Sequence, residues 1–234
     1  KKSIKNYIMP LSTLILMGTV LILSTIVFFN NSLAWVASND HIDAGGMSVS
    51  VRGLPDADVY LMVDGVSIDE NTDIFADLLP GQKVSFNVCV KNNTDDKIFF
   101  RISMAAPTAE QDTPYVVDGL YHYFGSQIRI NSIKNGSDDL LTLSGSYCYL
   151  LPLSDNLYAN GLPPTAIDSE YDFSLLEERN LTSEVEINAG GQVTLDVELE
   201  FVDNNTLQNA YIDFGKVDGQ TLSRTLLCYL SYDK

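Results

Sequence analysis

The chain has 234 residues and carries 14 Lys and Arg side chains against 31 Asp and Glu, which gives a formal net charge of −17 at neutral pH. A surface this acidic repels nucleic-acid phosphates and anionic lipid headgroups, so it disfavours nucleic-acid binding and electrostatic attachment to membranes. Hydrophobic residues make up 45% of the chain and charged residues only 19%, a composition that favours a folded core over intrinsic disorder.

The charge is divided unevenly between a short leader and the rest of the chain. Residues 1–34 contain three lysines and no acidic residue, so the remainder carries 11 basic against 31 acidic side chains. Directly after Lys1, Lys2 and Lys5, residues 8–29 form an uncharged, largely apolar stretch of 22 residues. As a helix this stretch would cross the roughly 30 Å hydrocarbon core of a bilayer, and the lysines favour a cytoplasmic start with everything after it outside.

The leader, residues 1–34, has two interpretations: a cleaved signal peptide or a permanent signal anchor. Its apolar stretch exceeds the roughly 7–15 residues usual for a signal peptide, which favours an anchor. Ser32 and Ala34 are small residues at the two positions that a signal peptidase reads, which favours cleavage before Trp35. We expect signal peptidase to cleave after Ala34. Under both interpretations the body is exported, is extracellular or on the cell surface, and meets the membrane only through this helix.

After the leader the dominant hydrophobic pattern has a period of two, which indicates strands with one buried face and one solvent-facing face. In residues 83–91 the apolar set is Val84, Phe86, Val88 and Val90, and Cys89 points to the opposite face. Residues 192–201 alternate more strictly. Their predicted inward set is Val193, Leu195, Val197, Leu199 and Phe201, and their outward set is Thr194, Asp196, Glu198 and Glu200.

The remaining segments predict an all-β domain. Shorter strands are expected over residues 47–52, 58–63, 97–104, 127–134, 147–153 and 224–229, and short helices over residues 116–124 and 172–179. We expect residues 92–96 to close a hairpin between two strands, and residues 105–114 and 153–171 to be long surface connections. The predicted fold is an antiparallel β-sandwich or jelly roll with a few short helices, preceded by the N-terminal signal or anchor helix, with residues 47–234 as one domain.

The sequence gives little support to catalysis or cofactor binding. The body has two histidines, His41 and His122, without a zinc-binding spacing, and it contains neither a nucleophile elbow nor a phosphate-binding glycine loop. Residues 69–73 resemble the start of an EF-hand, but Ile74 replaces the required glycine and Pro80 occupies the last ligand position. We therefore expect no enzyme activity, no cofactor and no metal site. An irregular calcium site in residues 69–73 is the alternative to a solvated acidic loop.

Three cysteines cannot all pair within one chain. Because exported proteins form disulfides, one bridge is a candidate, and Cys148 and Cys228, which lie in tyrosine-containing predicted strands, are the better pair. The alternative is that these residues are buried free cysteines, which pack as small hydrophobic side chains.

Three sets of residues carry a resemblance to a known family: the junction LAWVASND at residues 33–40 with GGMSVSV at 45–51, the Pro-Gly strand at 79–93, and the late strand at 190–201 with QNAY at 208–211. These segments are similar to those of the TasA/camelysin family of exported Gram-positive and archaeal surface proteins. The resemblance implies a jelly-roll domain whose leader is removed by a SipW-type peptidase and which polymerises into biofilm-matrix fibres. Camelysin-type members are described as metalloproteases, but this chain has no zinc-binding pattern.

In such fibres the freed N-terminal segment of one subunit adds a strand to the next, which is β-augmentation. Here the mature segment would be residues 35–46, and the candidate donor strand includes Trp35, Val36, Ala37 and Ile42. We expect self-association into filaments, with Asp196, Glu198 and Glu200 keeping the sheet face soluble. Divalent cations or a pH near 5 should then promote assembly by relieving repulsion.

A second function class fits the same sequence: a membrane-anchored binding or adhesion module at the cell surface. In this interpretation the long loops would contact glycans or host protein. Their tyrosines are the candidate contact residues: Tyr115, Tyr121, Tyr158 and Tyr171.

Overall fold

The computed structural model describes residues 41–44, 46–67, 74–75, 78–158, 161–204 and 221–232. All of them belong to one compact unit, Asp40–Lys234. Within these ranges no helix has both the length and the apolar character needed to span a bilayer. The leader at residues 1–34, the cleavage site at Ser32, Ala34 and Trp35, and the acidic segment 69–73 lie outside the described residues.

The described part of the chain is built from strands and single 3₁₀ turns, and the all-β prediction is confirmed. The strands are β1 (His41–Ala44), β2 (Met47–Gly53), β3 (Ala57–Val63), β4 (Val66–Ser67), β5 (Lys83–Asn92), β6 (Ile98–Met104), β7 (Asp112–Thr113), β8 (Tyr115–Val117), β9 (Leu120–His122), β10 (Ile128–Asn135), β11 (Asp138–Asp139), β12 (Arg179–Asn180), β13 (Val185–Ile187), β14 (Gln192–Phe201), β15 (Thr221–Leu222) and β16 (Arg224–Ser231). The 3₁₀ helices are Ala109–Gln111, Phe124–Ser126, Gly145–Cys148, Asp155–Leu157 and Phe173–Leu175.

Two six-stranded sheets carry the fold. Sheet 1 has the order β1-β2-β16-β6-β12, with β13 also paired to β6, and sheet 2 has the order β11-β10-β14-β5-β3-β4. Most neighbours are antiparallel. The exception among these strands is β2 with β16, which are parallel from Met47 opposite Arg224 to Gly53 opposite Leu230. Two small ribbons, β7 with β15 and β8 with β9, lie outside the main sheets.

The predicted period-two faces are confirmed in both long strands of sheet 2. In β5, Phe86, Val88 and Val90 are buried in the main hydrophobic core, and Val84 packs against it. The inward set predicted for β14 also lies in this core or packs against it: Val193, Leu195, Val197, Leu199 and Phe201. Sheet 1 supplies the opposite side of the core through apolar residues of β2, β6 and β16, including Val49, Ile102 and Leu226. Burial of these alternating residues is the main driving force for the sheets to pack.

The predicted hairpin at residues 92–96 is wrong, because β5 belongs to sheet 2 and β6 to sheet 1. The chain crosses between the sheets at Asn92, whose side chain is fully buried. Its Nδ2 donates to the carbonyl oxygens of Asp96 at 2.7 Å and Asn188 at 3.0 Å, and its Oδ1 accepts from the amide of Thr94 at 2.9 Å. These side-chain hydrogen bonds replace the strand pairing that a hairpin would have made.

The two predicted helices are also wrong. Residues 116–124 contain the β8–β9 hairpin, whose Asp118 and Gly119 both have positive φ, at 52° and 79°. An Asp-Gly pair favours this two-residue turn, and that local signal outweighs the helical spacing of the flanking apolar residues. Residues 172–179 contain the 3₁₀ turn Phe173–Leu175 and end at Arg179, the first residue of β12. Asp172 caps the turn by accepting from the amide of Ser174 at 3.0 Å.

A buried ion pair joins β16 to the long connection at residues 105–114, which is therefore not only a surface loop. Arg224 Nη2 lies 2.5 Å from Asp112 Oδ2, and both side chains have no exposed surface. The guanidinium also donates to the carbonyl oxygens of Leu150, Gln111 and Ser223 at 2.7–3.0 Å. Burial raises the pKa of Asp112, and the Arg224 guanidinium opposes this shift.

A Cβ atom at Gly125 would overlap both members of the Arg224–Asp112 pair. The absence of a side chain at this position is therefore required for the two buried charges to meet. Gly125 lies in the 3₁₀ turn Phe124–Ser126, where its φ angle is accessible to any residue. Glycine is needed there because of the space that the ion pair occupies.

Replacement of Arg224 by Met should destabilise the protein by about 3–5 kcal/mol, because Asp112 would remain buried without its partner. The measurement is the free energy of unfolding in urea. Arg52→Met, which removes an exposed arginine from neighbouring β2, is the matched control and should cost less than about 1 kcal/mol.

The double variant Arg224→Met with Asp112→Leu separates the two causes of destabilisation. It should be more stable than Arg224→Met alone, because no buried charge is left unpaired. Equal stability of the single and double variants would show that the ion pair is not the source of the loss.

Candidate functional site

A polar groove of about 950 Å³ lies on the outer face of sheet 2. Its floor comes from β10, β14 and the start of β5, and its wall comes from residues 139–158 and Gly161. The lining residues are Lys83, Arg129, Ile130, Asn131, Ser132, Lys134, Asp139, Leu141, Leu143, Gly145, Ser146, Cys148, Tyr149, Asp155, Tyr158, Gly161, Glu198 and Glu200.

A β-bulge in β10 widens the floor of this groove. Ile130 lies opposite Leu199 and Ser132 lies opposite Glu198, so Asn131 is an extra residue in β10. Ile130 and Ile133 stay buried on the core side, while Asn131 and Ser132 are both partly exposed. The bulge therefore places two consecutive polar side chains on the floor, where regular alternation would place one.

The charged side chains of the floor form one connected network. Lys83 Nζ lies 2.8 Å from Glu198 Oε1, and Arg129 Nη2 lies 2.9 Å from Glu200 Oε2. Asn131 joins the two pairs, since its Nδ2 donates to Glu198 at 3.1 Å and to Glu200 at 2.8 Å. Its Oδ1 accepts from Arg129 Nε at 2.9 Å. The predicted outward position of Glu198 and Glu200 is confirmed, and both are partnered.

This network changes the acid–base behaviour of the two glutamates. Hydrogen bonds from Lys83 and Asn131 lower the pKa of Glu198. Burial raises the pKa of Glu200, but hydrogen bonds from Asn131 and Arg129 outweigh burial and leave that pKa below its ordinary value. Both carboxylates therefore keep their charge to lower pH than an ordinary glutamate, which makes them weak candidates for a proton-driven promotion of assembly near pH 5.

The wall of the groove includes Cys148 and Tyr149, which lie in the predicted strand over residues 147–153. The structure has the 3₁₀ helix Gly145–Cys148 there, and Tyr149 forms only an isolated bridge with Arg129. Buried Arg179 explains the difference: its Nη1 donates to the carbonyl oxygens of Tyr147 at 2.5 Å and Tyr149 at 2.9 Å, and its Nη2 to that of Leu150 at 3.2 Å. Burial lowers the pKa of Arg179 to about 10, so the guanidinium is charged at neutral pH.

The far end of the wall is aromatic and polar. The rings of Tyr149 and Tyr158 pack at a centroid distance of 5.1 Å, and Ser146 Oγ donates to Asp155 Oδ1. Burial raises the pKa of both tyrosines, so their phenols are neutral across the physiological range. Tyr149 is almost fully buried, whereas Tyr158 is partly exposed at the groove.

The tyrosines predicted as adhesion residues are mostly engaged in a second, smaller core. Tyr121, Tyr158 and Tyr171 pack around Leu151, Leu153 and Tyr123. Tyr171 donates its hydroxyl to the carbonyl oxygen of Pro152 at 2.9 Å, and Tyr158 accepts from the amide of Leu153 at 3.3 Å. Tyr115 is in the β8–β9 ribbon beside His122, with the ring centroids 6.3 Å apart. These contacts stabilise the long loop over residues 153–171.

The structure has no bridge between Cys148 and Cys228, and all three cysteines are buried free thiols. Cys228 points into the main core from β16, whereas the 3₁₀ helix carries Cys148 to the groove wall. The pairing was predicted because both cysteines lie in tyrosine-containing predicted strands, but Cys148 lies in a 3₁₀ helix instead. Cys89, as predicted, lies on the other face of β5, where its Sγ contacts Met62 Sδ at 3.4 Å.

The N-terminal segment provides a second candidate site at the edge of sheet 1. Strand β1 pairs antiparallel with β2 over four residue pairs, from His41 opposite Ser50 to Ala44 opposite Met47. Of the candidate donor residues, Ile42 lies in this strand, opposite Val49 of the same chain. Trp35, Val36 and Ala37 lie outside the described residues.

His122 is one of the two histidines of the body, and its side chain is partly buried. His122 contacts the carbonyl oxygen of Thr165 through Nδ1 at 3.1 Å, and burial lowers the pKa of its imidazole. Within the described ranges no three His, Cys, Asp or Glu side chains are close enough together to hold a metal ion.

No protein-family model, curated protein or solved structure matches this chain.

Replacement of Lys83 by Met should raise the pKa of Glu198 towards the ordinary glutamate value of about 4.3. Because the folded-state pKa of Glu198 is lowered, the Lys83 pair stabilises the fold at pH values above the glutamate's unfolded pKa. That contribution is lost as pH falls through the folded-state pKa. Carbon-13 NMR of labelled glutamate carboxyls measures the shift, and urea unfolding at several pH values measures its effect on stability.

The matched control is Lys91→Met, which removes an exposed lysine from the same strand but outside the groove. It should leave the titration of Glu198 unchanged. An unchanged Glu198 titration in Lys83→Met would contradict the described network.

Proposed function

We propose that this protein is an exported structural protein of the cell surface whose subunits join by exchanging strand β1. The observation that carries the proposal is the position of β1 at the outer edge of sheet 1, paired only with β2 among the described strands. This strand lies within residues 35–46, the segment that contains the candidate donor strand. Its transfer to a neighbouring subunit would be β-augmentation, leading to fibres of the biofilm-matrix type.

The energetic argument is that strand exchange replaces each contact by an identical one. Removal of β1 leaves an open edge on β2, whose other side stays paired with β16 along seven residues. The freed edge would then accept β1 of another copy with the same register. Exchange of an identical element between copies is therefore a low-cost route to association, and a chain of such exchanges gives a filament.

Export supports this proposal from the sequence side. The cationic, apolar leader suits passage across the cytoplasmic membrane with signal peptidase as a transient partner, and the acidic body suits an extracellular polymer that binds no nucleic acid. A jelly-roll topology is part of the proposal, supported by the repeated crossing of the chain between sheets 1 and 2. The parallel β2–β16 pair is the feature that departs from a wholly antiparallel arrangement.

The alternative is a membrane-anchored binding or adhesion module. The polar groove on sheet 2 is the observation that favours it, because the groove provides many fixed hydrogen-bonding groups at the surface. In that case the leader would stay attached and the chain would not need to polymerise.

A disulfide that locks β1 onto β2 tests strand exchange. His41 and Ser50 are directly opposite each other, and the distance between opposed Cα atoms in an antiparallel pair, about 4.5–5.5 Å, suits a disulfide. The double variant His41→Cys with Ser50→Cys should form no filaments when oxidised and should regain them on reduction. Electron microscopy of protein recovered from the surface and medium of an exporting host gives the readout.

The single variant His41→Cys is the control and should form filaments with or without reductant. Filaments from the oxidised double variant as abundant as those from the wild type would rule out exchange of β1. Absence of filaments from the wild-type protein itself would favour the anchored module.

A further inference from the structure

We propose that the polar groove on sheet 2 binds a segment of a neutral hexose polysaccharide. This ligand site is separate from β1 and does not depend on polymerisation. The proposal rests on the size of the groove, the balance of its charges and the fixed arrangement of its donors and acceptors.

The size of the groove suits a short stretch of an extended polymer. Its volume of about 950 Å³ lies at the upper end of the roughly 300–1,000 Å³ typical of ligand clefts. The groove is open to solvent between the floor and the wall formed by residues 139–158 and Gly161. A chain of sugar rings can therefore enter from the side and extend beyond the groove.

The balance of charges favours an uncharged ligand. Lys83, Arg129 and Lys134 are opposed by four carboxylates, two of which, Glu198 and Glu200, form ion pairs with Lys83 and Arg129. Asp139 accepts from the backbone amides of Ile133 and Leu141. An anionic polymer would be repelled by these carboxylates. A lipid would desolvate the charged groups without offering them hydrogen bonds.

The floor is preorganised for hydroxyl groups. The network through Asn131 holds Lys83, Arg129, Glu198 and Glu200 in place, so little side-chain entropy is lost when a ligand binds. Beside this network, the hydroxyl of Ser132 and the ammonium of Lys134 have no hydrogen-bond or ion-pair partner within the described part of the chain. Both groups line the groove and can bond to a ligand directly.

The wall supplies the apolar surface that the C–H faces of sugar rings need. Leu141 and Leu143 are partly buried against the main core and line the groove. Tyr158 adds a partly exposed aromatic ring, held against Tyr149. A hexose ring, with hydroxyls at its rim and C–H groups on its faces, matches a polar floor beside an apolar wall.

Affinity electrophoresis of the full-length chain in a mild non-ionic detergent tests this proposal. Gels contain one of the neutral polymers dextran, laminarin, mannan or galactan, or the anionic polymer alginate. At least one neutral polymer should retard the wild-type protein.

Ser132→Trp, which fills the groove floor, should raise the dissociation constant about tenfold or more. Ser137→Trp, in the exposed turn after β10, is the matched control and should bind as the wild type does.

Lys134→Met tests the proposal if Ser132→Trp unfolds, because Lys134 is exposed and its replacement should not disturb the fold. Loss of the ammonium group should weaken retardation about fivefold. Circular dichroism establishes folding of each variant. Retardation by alginate alone, unchanged binding by a folded Ser132→Trp variant, or retardation by none of the neutral polymers would each overturn the proposal. Each of these results is independent of whether filaments form.

Discussion

Two buried guanidinium groups hold together parts of the chain that do not pair as strands. Arg224 of β16 and Arg179 of β12 both donate to the carbonyl oxygen of Leu150. Arg224 also reaches Asp112, so its charge is compensated, whereas Arg179 donates to backbone carbonyls and to Met104 Sδ and has no ion-pair partner among the described residues. Backbone carbonyls buried without strand partners would be costly, and charged donors satisfy them with strong hydrogen bonds. The core of sheet 1 and the wall of the groove therefore depend on the same pair of arginines.

The two long strands of sheet 2 are predictable from their own residues, whereas residues 147–153 are not. Alternation over residues 83–91 and 192–201 predicts both long strands and their faces, because a half-buried strand needs that period. The tyrosine-rich run at residues 147–153 carries the same apolar signal, but its carbonyls bind Arg179 and Arg224, which are distant in sequence. A pattern confined to the run contains no information about these partners.

The groove is another feature that depends on residues distant in sequence, and local patterns predict only part of it. The outward acids of β14 are predictable from alternation, and the structure places Glu198 and Glu200 on the outer face as expected. The partners Lys83 and Arg129 come from two other strands, and the bulge at Asn131 depends on the register of β10 against β14. Register and bulges are set by tertiary packing, so the sequence predicted a soluble acidic face and missed a structured site.

If the subunits associate as proposed, these features also restrict where they can meet. Sheet 2 ends in β4 and β11, which have only two residues each, and very short edge strands are poor templates for further pairing. Its outer face carries the network of Glu198 and Glu200, and stacking another sheet there would desolvate these charges. Sheet 1 instead ends at β1, which continues the N-terminal segment and is paired through backbone hydrogen bonds with β2. Under the proposed polymerisation, the physical constraints on sheet 2 would direct association to the edge at β1 and would leave the groove accessible on the surface of the polymer.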